Sequence, residues 1–229
     1  MAVLLLRLAG PMQSWGTRSR FDERDSDLEP SKSGVIGLIC AALGIHLDDW
    51  EETLKPITEL RMGVRIDRPG LLRYDYHTAQ EIIPADESKI HSTAVTKRYY
   101  LSDAMFLVGL EGNESLLEKI HQSLLNPVWG LYLGRKAFVP SPGVYLNDGL
   151  IKEKSLEEAL GIYPYLPTLE KDEGEKIKEP EKVKYVLEAK SQEGSIRMDQ
   201  LASSFAERKF VSRYVQFDSK KLGETPSWS

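Results

Sequence analysis

A chain of 229 residues, 41% hydrophobic and 28% charged, has the composition of an ordinary globular protein with room for a real core. No apolar run reaches the ~18 residues that a membrane-spanning helix needs, and a net charge of −5 excludes a uniformly basic nucleic-acid binder. The acid is local: residues 47–59 carry a net −4 and residues 151–194 a net −3, which leaves the rest slightly basic.

Residues 3–9, VLLLRLA, form a continuous apolar run of strand length, and Gly10-Pro11 ends it. Arg7 interrupts the run and no small-residue cleavage site follows, so no signal peptide is expected. The single cysteine, Cys40, lies in an apolar run and is expected to fill core; together these features point to the cytoplasm. Residues 11–32 have no clean period and read as a long loop. A helix follows, with Ser31 or Ser33 as N-cap and Gly44 at C′. Val35, Ile36, Leu38, Ile39, Ala42 and Leu43 leave it almost no polar face.

ELRMGVRID (59–67) alternates, predicting a half-buried strand with Leu60, Met62, Val64 and Ile66 inward and Arg61, Arg65 and Asp67 outward. After the Pro69-Gly70 turn, 71–78 and 94–101 are strand candidates, and the polar stretch 79–93 makes the region a long excursion or hairpin. Residues 104–110 predict a buried strand, and 114–125 a helix with Leu116, Leu117, Ile120 and Leu124 on one stripe. GLYLGRKAFV (130–139) predicts a strand containing a glycine turn. This order is that of a split βαβ, ferredoxin-like unit with an inserted hairpin, an α+β fold. Residues 140–182 are rich in Pro, Gly and charge, with a short helix near 155–160. Strands are expected at 183–190 and 208–217, as a second small β-rich domain or an appendage on the first sheet. EKDEGEKIKEPEK (170–182) reads as a solvated loop.

EPSKSGVIGLICAALGI (29–45) resembles a phosphate loop but fails as one, because Lys32-Ser33 precedes its glycines. Two uses remain: a capped core helix, or an anion site at a helix start flanked by Ser31, Lys32, Ser33 and Gly34. The four histidines, His46, His77, His91 and His121, have no metal spacing, so neither a metal nor a cofactor is expected, and His121 is expected at the surface. There is no G-x-S-x-G elbow. Bases interleaved with aromatics suit single-stranded RNA, whose phosphates need cations and whose bases need rings. Four clusters have this character: Met12, Gln13, Ser14, Trp15, Arg18 and Arg20; Arg73, Tyr74, Tyr76 and His77; Lys97, Arg98, Tyr99 and Tyr100; and Gly134, Arg135 and Lys136. Core packing on one strand face is the alternative for each aromatic. Tyr99 and Tyr100 are adjacent on a strand, so one of them must face inward.

GPMQSWG (10–16), SRF (19–21), PSKSGVIGLICAALGI (30–45), DYHTA (75–79), RYYLSDAMFLVGLEG (98–112) and LYLGRKAFVPSPG (131–143) occur in this order. Together they resemble the CasD family of the RAMP superfamily, the crRNA 5′-handle subunits of type I-E CRISPR Cascade complexes in antiviral defence. The resemblance is close over the first 145 residues or so. It implies a ferredoxin-like, RRM-related domain over 1–145, with a hairpin thumb at about 75–101, and a β-rich region over 146–229 with a charged loop at 166–182. It also implies a non-catalytic subunit that binds the crRNA 5′ handle, caps the complex, contacts the backbone subunit CasC and the large subunit CasA, and meets target DNA only through the complex. The RNA-binding residues are then expected among Met12, Gln13, Ser14, Trp15, Arg18, Arg20, Ser31, Lys32, Ser33, Gly34, His77, Lys97, Arg98, Tyr99, Arg135 and Lys136. Relatives in type I-C systems cut precursor RNA without metal, so the alternative is an endoribonuclease using Tyr74, His77, Lys97 and Tyr99.

Overall fold

The computed structural model describes residues 1–19, 22–83, 91–169 and 177–226. The apolar runs at the two ends of the first half pair with each other. Strand β1 (Ala2–Ala9) lies antiparallel to β7 (Met105–Gly112), with Leu4 opposite Leu110 and Leu8 opposite Phe106. Both are buried on both faces, which is why neither alternates in polarity. Even-numbered β1 residues Leu4, Leu6 and Leu8 face one core with α1 (Lys32–Leu43) and α3 (Glu114–Leu125). Odd-numbered Val3 and Leu5 face a second core with α4 (Leu156–Ile162) and the 3-10 turn Leu166–Leu169.

Strand β4 (Arg61–Arg68) joins β7 on the other side, and the short β8 (Leu150–Lys152) joins β1. The C-terminal strands β9 (Val183–Glu188), β10 (Ser195–Leu201) and β11 (Phe210–Lys220) continue the same sheet, because β9 pairs with β4. Among the described residues the sheet has seven strands in the order β10-β11-β9-β4-β7-β1-β8, antiparallel at each junction. No helix among the described residues is long and apolar enough to cross a membrane.

A second, small sheet stands off this body. Strands β5 (Leu71–Ile82) and β6 (His91–Ser102) form a long antiparallel hairpin, Leu71 opposite Ser102 and Ile82 opposite His91. Its root is held by two short pieces of the 11–32 segment: β2 (Met12–Gln13), antiparallel to β6, and β3 (Glu23–Arg24), parallel to it. The segment read as a loop is therefore the bracket of the hairpin. A further short helix, α2 (Leu54–Thr58), leads into β4.

Three expectations are corrected. Residues 130–139 are not a strand: Gly134 takes φ +88, Phe138 N–H donates to Arg135 O (2.8 Å), and Leu133 N–H donates to Phe138 O (2.7 Å), closing a tight turn. The edge position beside β1 is filled by β8 instead. Arg65 and Asp67 do not face solvent, because α4 and the following turn cover that face of β4. The guanidinium is accommodated since all five N–H groups find acceptors: the Asp67 carboxylate at 2.7 and 2.9 Å, and the carbonyls of Leu160, Tyr163 and Pro164 at 2.6–2.7 Å. His121 is buried on α3, its Nε2 2.8 Å from Leu146 O and its ring stacked on Tyr145 at 4.7 Å.

Candidate nucleic-acid interface

The start of α1 has two readings in the sequence, a capped core helix or an anion site. Ser31 is the N-cap in extended conformation, but its side chain makes no capping bond. The carboxylate arrives from the far end of the chain: Lys32 N–H donates to Asp199 Oδ2 on β10 (2.6 Å). Asp199 is held by Arg213 of β11 at 2.7 and 2.9 Å. The Lys32 ammonium is 2% exposed and donates to both carboxylate oxygens of Glu188 on β9, at 3.0 and 2.9 Å. Burial outweighs that attraction and lowers the lysine's pKa below its ordinary value. So α1 does carry an anion at its positive end, but the anion is the protein's own.

Neighbouring residues are likewise used internally. Gln13 is fully buried; its amide donates to Leu8 O (3.1 Å) and Ala104 O (2.8 Å), and its Oε1 accepts from the Trp15 indole (3.2 Å). Trp15 is core and lies on the start of α1, where a Cβ at Gly34 would come 3.0 Å from Trp15 Cε3. Met12 packs against the main core, Ser31 is buried and Ser33 is half-buried. Arg18 remains exposed, paired with Asp27 at 3.5 Å and Asp25 at 3.9 Å. Arg20 lies outside the described residues, as do 84–90 in the hairpin connection and 170–176 in the charged loop.

The cations that converge lie at the hairpin root. Arg24 of β3 is in register with Arg98 of β6, and Arg135, from the turn, donates to Tyr99 O (2.9 Å) and Arg24 O (3.3 Å) while lying over the Phe138 ring. Burial lowers the Arg135 pKa, and the nearby cations Arg98 and Arg24 lower it further, opposed by the Asp75 carboxylate. These groups border a polar cleft of about 1020 Å3 lined by Ser14, Gly16, Ser19, Arg24, Asp25, Gly134, Arg135 and Arg208. Ser14 is fixed in its wall by two bonds, its N–H to Leu133 O (3.0 Å) and its hydroxyl to Tyr99 O (3.2 Å). Ser14, Arg135 and the neighbouring Arg98 were legible as basic or polar clusters. Arg24 and Arg208 were not, because nothing local connects them with the turn at 134–135. Lys136 is exposed on the other side of that turn, beside Trp129, Tyr132 and Val139.

The hairpin has two chemically distinct faces. Cross-strand partners share a face and alternate along each strand. Tyr74, Tyr76, Lys97 and Tyr99 therefore fall on one face, with Tyr74 opposite Tyr99 and their rings 5.7 Å apart. Arg73, Asp75, His77, Thr96, Arg98 and Tyr100 fall on the other, where Tyr100 packs on Phe138 at 5.9 Å. Tyr100 is thus the inward member of the tyrosine pair. Tyr74 and Tyr76 are 57% and 64% exposed, far above what a packed strand leaves open. Among the described residues no group of three or more His, Cys, Asp or Glu side chains is arranged to hold a metal.

Known proteins are similar to this chain in sequence and fold. A CRISPR system Cascade subunit CasD of Escherichia coli (strain K12) is 36% identical over 150 residues. The match covers 58% of this chain and 65% of that protein, so it spans just under two-thirds of the relative. A crystal structure of a Cas protein superposes with a TM-score of 0.77 at 45% identity, covering 99% of this chain and 98% of the other. A chain of a CRISPR RNA-guided surveillance complex superposes with a TM-score of 0.70 at 31% identity, covering 96% and 90%. The profile of the family described as CRISPR-associated protein (Cas_Cas5) matches residues 3–216. With that match running over nearly its whole length, the chain belongs to this family of CRISPR-associated proteins.

Proposed function

We propose that this chain is a non-catalytic RNA-binding subunit of a Cascade-type surveillance complex, holding the repeat-derived 5′ handle of the guide RNA at the root of its hairpin. The observation that carries the reading is the convergence of Arg24, Arg98 and Arg135 beside one open polar cleft. Crowding cations is unfavourable unless a polyanion offsets it, and a single-stranded phosphate backbone is such a polyanion. The relatives support the setting, since one is a Cascade subunit and another belongs to an RNA-guided complex.

The strand order β8-β1-β7-β4, with α1 and α3 on one face, supports the ferredoxin-like reading, with the hairpin inserted between β4 and β7. The hairpin is the thumb of that reading. Its exposed Tyr74–Tyr76 face, with Lys97, suits stacking and phosphate contact, or a neighbouring subunit such as CasC; CasA is the other expected partner. The endoribonuclease reading needs Tyr74, His77, Lys97 and Tyr99 at one phosphate. Strand alternation puts His77 on the opposite face from the other three, which disfavours it.

Binding of fluorescein-labelled repeat RNA to Arg24→Ala and Arg135→Ala, each checked for an unchanged melting temperature, tests the reading. Each substitution should weaken binding about tenfold or more, and wild-type affinity in both would overturn it. Incubation of the wild-type chain with repeat RNA in EDTA should leave the RNA intact; specific cleavage, abolished by His77→Ala, would replace this reading with the nuclease.

A further inference from the structure

Arg208 stands on the connection between β10 and β11, far in sequence from the other cations of the cleft, yet it forms part of the same lining. We infer that Arg208 completes a backbone-phosphate clamp, so that the C-terminal strands supply one wall of the RNA site and the clamp grips RNA without reading its bases. This rests on the cleft being the RNA site proposed above.

Three features of the connection support it. First, the connection is anchored to the body rather than left to swing. Ala206 N–H donates to Leu47 O (3.1 Å), Phe205 lies against Gly37 of α1, and Ala202 N–H donates to Lys209 O (3.0 Å). Second, Arg208 itself holds a left-handed backbone, φ +53, a conformation that glycine or asparagine adopts at lower cost. An arginine kept there puts a guanidinium where the backbone geometry alone would favour a smaller residue. Third, its charge is not neutralised: no carboxylate pairs with it among the described residues, whereas the adjacent Glu207 is taken by Lys209 at 2.7 Å.

The lining also defines the ligand class. Among the described residues it holds three arginines, two serines and one carboxylate, and no aromatic side chain. Its one carboxylate, Asp25, accepts hydrogen bonds from Ser19 Oγ (2.7 Å) and Arg18 N–H (3.3 Å). Single-stranded bases are read chiefly where rings stack them and hydrogen-bonding groups meet their edges, and the described lining offers no ring. Guanidiniums and hydroxyls suit phosphate oxygens, and contacts made to phosphate carry no sequence information.

The test titrates two fluorescein-labelled single-stranded RNAs of equal length, one repeat-derived and one scrambled, against the full chain over a salt series. Arg208→Gly is the main variant, because glycine relieves the left-handed backbone and keeps the loop foldable; Arg208→Lys is the charge-restoring control. Arg208→Gly should weaken both RNAs by about the same factor, tenfold or so. It should reduce the slope of log K against log salt by about 0.7, the value for one single-strand phosphate contact, with Arg208→Lys recovering most of that slope. If Arg24→Ala and Arg135→Ala lower the slope while Arg208→Gly does not, the clamp inference falls and the RNA reading stands. If none of the three changes binding, both fall. Loss confined to the repeat-derived RNA would make Arg208 a base reader and overturn the phosphate assignment.

Discussion

Lys32 Nζ lies 2.9 Å from Oε2 of Glu188, a residue 156 positions later in the chain, and the pair sits almost entirely out of water. Arg213 and Asp199 extend it into a four-residue network that locks the first helix to the three C-terminal strands. A buried pair of this kind contributes little net stability while intact, but losing one member strands a charge.

Glu188→Gln should therefore destabilise the protein by about 3 kcal/mol, read from the midpoint of urea unfolding, while Lys32→Met combined with Glu188→Leu should cost much less. The same lysine has a pH signature. Its folded pKa is lowered from 10.5, chiefly by burial, so between the two values the unfolded chain holds more protons and stability rises with pH. Lys32→Met should remove that rise.

Gly134→Ala should disorder the turn that carries Arg135. The residue has φ +88, and a Cβ there would lie 1.7 Å from Ser14 O, which is backbone and cannot step aside. We expect a loss of at least about 2 kcal/mol from the left-handed strain and clash together, with RNA affinity falling alongside. Thermal melting and RNA titration on the same preparation check both.

Gln13→Leu separates scaffold from interface. It removes three hydrogen bonds and leaves the Leu8 and Ala104 carbonyls and the Trp15 indole without their partner. Stability should drop by about 2–3 kcal/mol, yet the salt slope of RNA binding should not change, because Gln13 touches no solvent. A reduced slope in a still-folded variant would place Gln13 in the RNA contact after all.

Cys40 should be inert. Burial pushes its thiol up to about 12, so the folded state holds the proton that the unfolded state releases from about pH 9 upward. Alkylation by iodoacetamide at pH 8 should proceed only in denaturant. Stability should fall as pH rises from 9 towards 12 by an amount that Cys40→Ala abolishes.

Local chemistry was enough for much of the frame. The runs at 3–9 and 104–110 are apolar but for Arg7, and at that length such a run fits a strand covered on both faces. The helix at 114–125 follows from its stripe and that at 32–43 from its apolar length and its ends, where Gly44 does take the left-handed C′ position. The basic clusters at 97–100, with its two tyrosines, and at 134–136 were visible in the sequence, though not that Arg135 would meet the hairpin root.

What tertiary structure decided were the partners. Arg65 alternated like a surface residue, and only the later α4 segment, with its free carbonyls, made burial affordable for a guanidinium. Lys32 looked like a phosphate contact until Glu188 and Asp199 arrived from the last third of the chain. Arg24 and Arg135 are 111 residues apart, with Arg208 further on, and no local period links them. Sequence fixes which residues can be buried and which can carry charge, because those are properties of side chains. Which charges are neutralised inside the protein and which stay free for a ligand depends on distances across the fold, and those exist only once the strands have paired.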